Sequence, residues 1–233
     1  MNLTIMKYAL RRGFMNPLSI IINCAAPLAF VFFSSNMPVA QIGANREFYL
    51  IAMMIMWGAF IMSKSVQHDK MEGVLIRILA GPVTLRGYLM QNFFAALVPM
   101  IGISILISAI GMLVNDWGFM FSIGLALCYI MLSTTSIGLS FAWSCLFKDK
   151  ENSAAGVSVL ITTVAAIGGF FLPLAILPQP IYYLGALFPA HWASRAIEVL
   201  LEDGMVGMYW VGLAAMALFS VAFILFGGKR RLV

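Results

Sequence analysis

Residues 88–114 read YLMQNFFAALVPMIGISILISAIGMLV, 27 positions without one Asp, Glu, Lys or Arg. About 20 apolar residues in a helix, each rising 1.5 Å, cross the ~30 Å hydrocarbon core of a bilayer. This run exceeds that length. It also lacks the polar/apolar alternation over about 10 residues that marks a barrel strand. Only helices and closed barrels satisfy every backbone polar group in lipid, so the run reads as a transmembrane helix.

Working outward, five more stretches meet the same criterion: 17–35, 48–66, 119–147, 153–172 and 205–226. They are separated by 36–47, 67–87, the tight 115–118, 148–152 and 173–204. The 233 residues are 62% hydrophobic and 10% charged, with a mean hydropathy of +0.98. A soluble domain carries roughly 25% charged residues, so this chain has too little polar surface to coat a water-facing particle. That excludes a soluble enzyme, a nucleic-acid module and a disordered tail. The formal net charge of +5 therefore bears on topology and is no sign of nucleic-acid binding.

Lys7, Arg11, Arg12, Lys64, Lys70, Arg77, Arg86, Lys148, Lys150, Lys229, Arg230 and Arg231 fall on one side of the six-span arrangement. Arg46 and Arg195 fall on the other. The positive-inside rule makes the richer side cytoplasmic and places both termini there, as an even number of spans requires. Arg11 and Arg12 ahead of the apolar 18–33 have the look of a signal peptide, with Pro38-Val39-Ala40 a poor cleavage site. The charge count holds only if that segment stays as the first span. The expected architecture is all-α and integral to the membrane, one domain over 1–233.

After the second span, Met71, Val74, Leu75, Ile78 and Leu79 lie at i, i+3, i+4, i+7 and i+8, one face of a helix. Asp69, Glu72, Gly73 and Arg77 occupy the opposite face, with Asp69 and Glu72 suited to the helix start and Gly81-Pro82 to its end. This reads as a short surface helix with its charges toward the cytosol, either a docking surface or a connector lying on lipid. Residues 1–16 form a second, weaker amphipathic element in the headgroup interface. Its cations are expected to do no more than satisfy the positive-inside rule.

The stretch from Phe170 and Phe171 through Pro173, Pro178, Pro180 and Pro189 is apolar but carries four prolines in 17 residues, so it is no continuous helix. Pro178 or Pro180 suits the first turn of a short helix that ends before Pro189. Beyond it Trp192, Ala193, Ala196, Ile197, Leu200 and Leu201 form an apolar face, with Arg195 and Glu198 an i,i+3 pair. An apolar, broken segment fits a re-entrant hairpin on the outer side.

Within the spans polar residues are few: Asn23, Ser133-Thr134-Thr135-Ser136 with Ser140, and Thr162-Thr163. Their default role is packing by hydrogen bonds within or between helices. Asn23, Thr134 and Thr162 are the candidates for polar points on a solute path, Asn23 foremost because Pro27 follows one turn on. No span has a mid-membrane carboxylate of the kind ion-coupled carriers use. There is no phosphate-binding loop, since Gly227-Gly228-Lys229 leads into Arg230, and no catalytic constellation. Cys24, Cys128 and Cys145 are far apart and His68 and His191 stand alone, which fits neither disulfides nor a metal site. Seventeen Met and eighteen Phe suit a soft apolar surface.

Three pieces together resemble the ABC-2 type permeases, membrane subunits of ATP-binding-cassette exporters. Glu72-Gly73-Val74-Leu75-Ile76-Arg77-Ile78-Leu79-Ala80-Gly81-Pro82 is similar to the family's Glu-x-Gly-Thr-hydrophobic-x-Arg-Leu-Leu-x-x-Pro segment, although Glu72 abuts Gly73 and Val74 replaces Thr. Gly169-Phe170-Phe171-Leu172-Pro173, with Leu177-Pro178 and Phe188-Pro189, resembles its outer proline series. Arg11-Arg12-Gly13-Phe14-Met15-Asn16-Pro17 resembles its interfacial helix running into span one.

The resemblance implies two permease subunits, identical or homologous, each contacting a cytosolic ATPase that carries the ATP and magnesium. This chain then has no cofactor and no catalytic residue of its own. Asp69, Lys70, Glu72, Gly73, Arg77 and Pro82 are the implied ATPase-coupling set. Phe170, Phe171, Pro173, Pro178 and Pro189 are the implied outer gate. A bacterial plasma membrane is implied, with efflux of a hydrophobic or amphipathic compound such as a drug or antimicrobial peptide. Alternatives are export of a polysaccharide or lipid-linked substrate, a gradient-driven carrier, or a non-transporting membrane partner.

Overall fold

A computed structural model describes residues 3–14, 17–33, 45–144, 150–202 and 206–229, all of them in helices and the turns between them. Helix α1, Leu3–Phe14, ends on Arg11 and Arg12, cations that suit the negative end of a helix dipole. Helix α2 covers 17–33 in three registers: α-helical Pro17–Ile20, a π turn Ile21–Ala25, and α-helical Ala26–Phe33. The π turn has a local cause. Pro27 has no N–H and its ring would press on the carbonyl of Asn23, and one wider turn, with the Ala26 N–H reaching Ile21 O, relieves that.

Helix α3 is Arg46–Met71, running five residues past the end of the expected span 48–66. Gln67, His68, Asp69 and Lys70 are polar but none breaks a helix, so the backbone continues where the hydropathy stops. The break comes at Gly73, whose φ of 68° lies in the left-handed region with open space where a Cβ would be. Conformation, not crowding, requires glycine there. Helix α4 is then only Val74–Leu79, which corrects the expected surface helix. Asp69 belongs to the last turn of α3, not the first turn of α4.

Helix α5, Leu85–Val114, starts three residues before the expected 88 because Thr84 caps it, its Oγ1 accepting from Gly87 N at 3.2 Å. After the expected tight turn, helix α6 runs Phe119–Ser144; residues 145–147 of that expected span lie outside the described residues. Helix α7 is Lys150–Ile167, so the expected span 153–172 ends five residues early. Phe170 N reaches Ala165 O and Gly169 N reaches Ala166 O around Gly169 at φ 93°, a Schellman ending. The proline-rich stretch breaks as expected, into the 3-10 turn Leu174–Ile176, helix α8 Gln179–Gly185 with Pro180 in its first turn, and helix α9 Pro189–Leu201. Helix α10 is Val206–Lys229.

Helix α6 is the axle of the bundle, packed against α3, α5, α9 and α10. Its Leu125, Cys128, Tyr129, Leu132 and Ile137 are fully buried. Tyr129 Oη donates to Phe48 O of α3, and Tyr209 Oη of α10 donates to Gly124 O of α6. The absent Cβ of Gly138 lets α10 come close, with Ser220 O 3.3 Å from where a Cβ would stand. The segments 46–70, 85–114, 119–143 and 206–226 are long and apolar enough to cross a membrane. The apolar helices 21–32 and 158–167 are shorter. The described residues are all-helical, and the molecule is an integral membrane protein.

Candidate functional site

The end of the bundle that gathers α1, the close of α3 and the start of α5 holds a buried polar network. Asp69 is buried there. Arg12 of α1 places Nη2 2.8 Å from Asp69 Oδ1, off the axis of an ideal hydrogen bond, and donates from the same nitrogen to Ser65 O at 2.9 Å. Tyr88 Oη donates to Asp69 Oδ2. Asn92 closes the ring: Nδ2 donates to Tyr88 O at 3.0 Å and Oδ1 accepts from Ser65 Oγ at 3.2 Å. Three helices are thus cross-linked through one carboxylate.

The Arg12 side chain is 48% exposed and that of Asp69 only 9%. An exposed ion pair contributes about 0–1 kcal/mol, whereas leaving a buried charge unpaired costs about 3–5 kcal/mol. Loss of Arg12 therefore lies between those limits.

Between Asp69 and Tyr88 the chain makes an excursion that carries α4. Leu75 is buried beneath it, and Val74, Ile78 and Leu79 are half-buried, as the periodicity predicts. Glu72, Ile76, Arg77, Ala80, Gly81 and Pro82 face outward. Of the implied coupling set, Glu72, Arg77 and Pro82 are exposed, Gly73 is the left-handed break, Lys70 is half-buried, and Asp69 points inward. Ile76, an aliphatic side chain 56% exposed, was missed by the periodicity, which ranks by face and is blind to a lone apolar residue on the polar side. Arg12, Ser65, Tyr88 and Asn92 were missed too. The expectation that the α1 cations serve only topology is overturned for Arg12.

At the opposite end, Arg46 is buried, its Nη1 3.3 Å from Gly169 O and its guanidinium 5.4 Å from the Tyr49 ring centroid. The five gate candidates do not share a face. Phe170 and Pro189 are buried, Pro173 is half-buried, and Phe171 and Pro178 are exposed. His191 is buried against Tyr182, ring centroids 4.9 Å apart, with its Nδ1 lacking a partner among the described residues. Burial, then the nearby Arg195 cation, push its pKa below the ordinary histidine value. Arg195 and Glu198 form the expected pair at 3.0 Å.

The three path candidates are not brought together by hydrogen bonds. Asn23 Nδ2 donates to Ser19 O and Ser19 Oγ within α2, while its Oδ1 abuts Gly58 of α3. Thr134 Oγ1 donates to Met131 O, and Thr162 Oγ1 to Ser158 O. Ser133, Thr135 and Ser136 likewise donate to carbonyls one turn back. Among the described residues there is no cluster of His, Cys, Asp and Glu able to hold a metal.

The sequence model of the ABC-2 type transporter family matches residues 3–201, from the start of α1 to the end of α9. The chain belongs to the ABC-2 type transporter family. No curated protein matches it. As an ABC-2 membrane component it is a permease subunit of an ABC transporter and not the ATPase, and membership implies association with an ABC ATPase. The network around Asp69 lies inside the matched region, at the base of the segment that carries the family-like Glu72–Pro82 motif.

Proposed function

We propose that this ABC-2 chain is the permease of an ATP-driven exporter that moves hydrophobic or amphipathic compounds, such as a drug or antimicrobial peptide, outward across a bacterial plasma membrane. It works with a second permease subunit, identical or homologous, and with separate ATPase subunits that bind ATP and magnesium. The chain forms one membrane domain whose 17–33 and 150–167 helices complete six spans, with both termini cytoplasmic and α1 lying in the headgroup interface. The 17 residues of 17–33 and the 15 that follow the polar 150–152 reach about 22–26 Å, somewhat short of the ~30 Å hydrocarbon core, a mismatch met by local thinning of the bilayer.

The observation that carries this reading is the surface of α4. Ile76 and Arg77 project from a short helix slung between two long ones, and Glu72, Ala80 and Pro82 from the turns on either side of it, an apolar knob flanked by charges. Such a knob fits a groove on a cytosolic partner better than it fits lipid, where Glu72 and Arg77 would lose hydration. The segment 168–188, broken by Gly169 and its prolines, forms the outer re-entrant hairpin and gates the path.

The test is purification in mild detergent and measurement of the ATPase that accompanies the chain. A stoichiometric, active ATPase is expected. Ile76→Ser with Arg77→Ala should reduce its capture several-fold while leaving the unfolding temperature unchanged, because both side chains are exposed. Equal capture by the double variant would remove α4 as the docking element.

A further inference from the structure

We propose that the Tyr88–Asp69 hydrogen bond, held by Arg12, is a staple that makes α4 rigid with respect to three helices, so that Asp69, Tyr88 and Arg12 are positioning residues for coupling. This deepens the reading above and rests on it for the part that concerns ATP. Asp69 precedes α4 by five positions and Tyr88 follows it by nine. The bond between them closes the base of the excursion that contains α4. Without it α4 is held by the burial of Leu75 and its half-buried neighbours Val74, Ile78 and Leu79, between two joints, Gly73 at φ 68° on one side and the exposed Gly81-Pro82 on the other.

Closure at the base changes what a push on α4 does. With an open base, displacement is absorbed by rotation at Gly73 and at Gly81. Once the base is stapled, the same displacement moves α3 and α5 together, and Arg12 adds α1 through its contacts to Asp69 and Ser65 O. Asn92 keeps the Tyr88 end from slipping, since it ties Tyr88 O to Ser65 Oγ one turn before Asp69. A carboxylate withdrawn from water needs partners for its charge, and Tyr88 and Arg12 supply them from two other helices. Asp69 is thereby committed to the bundle interior, while Glu72, Ile76 and Arg77 stay outward for a docked partner.

The experiment uses the full chain in lipid nanodiscs and reads amide hydrogen exchange. In Tyr88→Phe, exchange across 74–79 should rise about ten- to a hundredfold, the range that loss of one hydrogen bond to a charged group corresponds to, while exchange in α6 stays as in the parent. Asp69→Asn, which keeps an acceptor for Tyr88 but loses the ion pair, should fall between the two. Unchanged exchange in both variants overturns the staple.

With the co-purifying ATPase, Tyr88→Phe should bind that subunit as the parent does yet lose most of the permease-dependent change in ATP turnover. A merely structural residue would lower binding and turnover together. Retained turnover with loosened α4 overturns the coupling role alone. If no ATPase accompanies the chain while the exchange pattern appears, the staple stands and the exporter reading fails.

Discussion

Replacing Gly58 with alanine tests how α2 and α3 meet. A Cβ built on Gly58 would stand 1.7 Å from Asn23 Oδ1 and 2.7 Å from Asn23 Cγ. The amide cannot remain where it is. Moving it breaks the two hydrogen bonds from Nδ2 to Ser19, each contributing about 0.5–1.5 kcal/mol. Forcing extra volume into a packed contact costs about 1–3 kcal/mol, and alanine returns about 0.8–1 kcal/mol of helix propensity over glycine. The net expectation for Gly58→Ala is a loss of about 1–5 kcal/mol.

The cycle with Asn23→Ala is more telling than either single change. Asn23→Ala leaves a void against Gly58, and the methyl group that Gly58→Ala adds refills part of it. The double variant should be more stable than the sum of the singles by about 1–3 kcal/mol, since the residues touch. Reversible unfolding in detergent, followed by tryptophan fluorescence for all four proteins, gives the coupling directly. Additive losses, or a Gly58→Ala chain as stable as the parent, would refute the packing of Asn23 on α3 and return Asn23 to the solute path.

Two further outcomes follow from the opposite end. Gly169→Ala places a Cβ 2.6 Å from Leu174 Cδ2 at a φ of 93°, and should cost about 1–2 kcal/mol and expose 168–178 to protease; parent-like proteolysis would contradict the Schellman ending. His191 has a lowered pKa, so its neutral form is the one the fold favours. The stability it contributes is complete above its unfolded value of about 6.5 and is lost as pH falls through the lower folded value. His191→Phe should flatten the thermal-unfolding profile over that acidic window, and an unaltered profile would show that His191 is hydrated.

Length and apolarity made the long helices legible, and local chemistry made several joints legible. The 115–118 turn, the stop at Gly81-Pro82, Pro180 in the first turn of α8 and the Arg195–Glu198 pair all depend on neighbours in sequence. Hydropathy failed where it is blind to backbone conformation. It carried the span at 153–172 past Gly169 because Phe170, Phe171 and Leu172 are apolar. It stopped α3 at Val66 because Gln67–Lys70 are polar, although nothing there interrupts a helix.

The network around Asp69 was illegible for a different reason. Arg12 and Asp69 lie 57 positions apart, and a lone arginine in a basic amphipathic helix carries no mark of the carboxylate it will meet. Tyr88 looked like the edge of an apolar run, and Asp69 looked like a helix start because acidic residues favour first turns. Only the packing of α1 on α3 and α5 assigns these residues to one another.

Helix α3 is fastened near both ends, by Arg46 to the Gly169 carbonyl and by Asp69 to α1 and α5. The fastenings are 23 residues apart, about 35 Å of uninterrupted α-helix. A helix bends far more readily than it stretches, because lengthening strains every hydrogen bond in series. The two fastenings therefore share a single axial coordinate. What happens to the glycine turn on one side of the bundle and to the polar ring on the other is one displacement, read at two addresses.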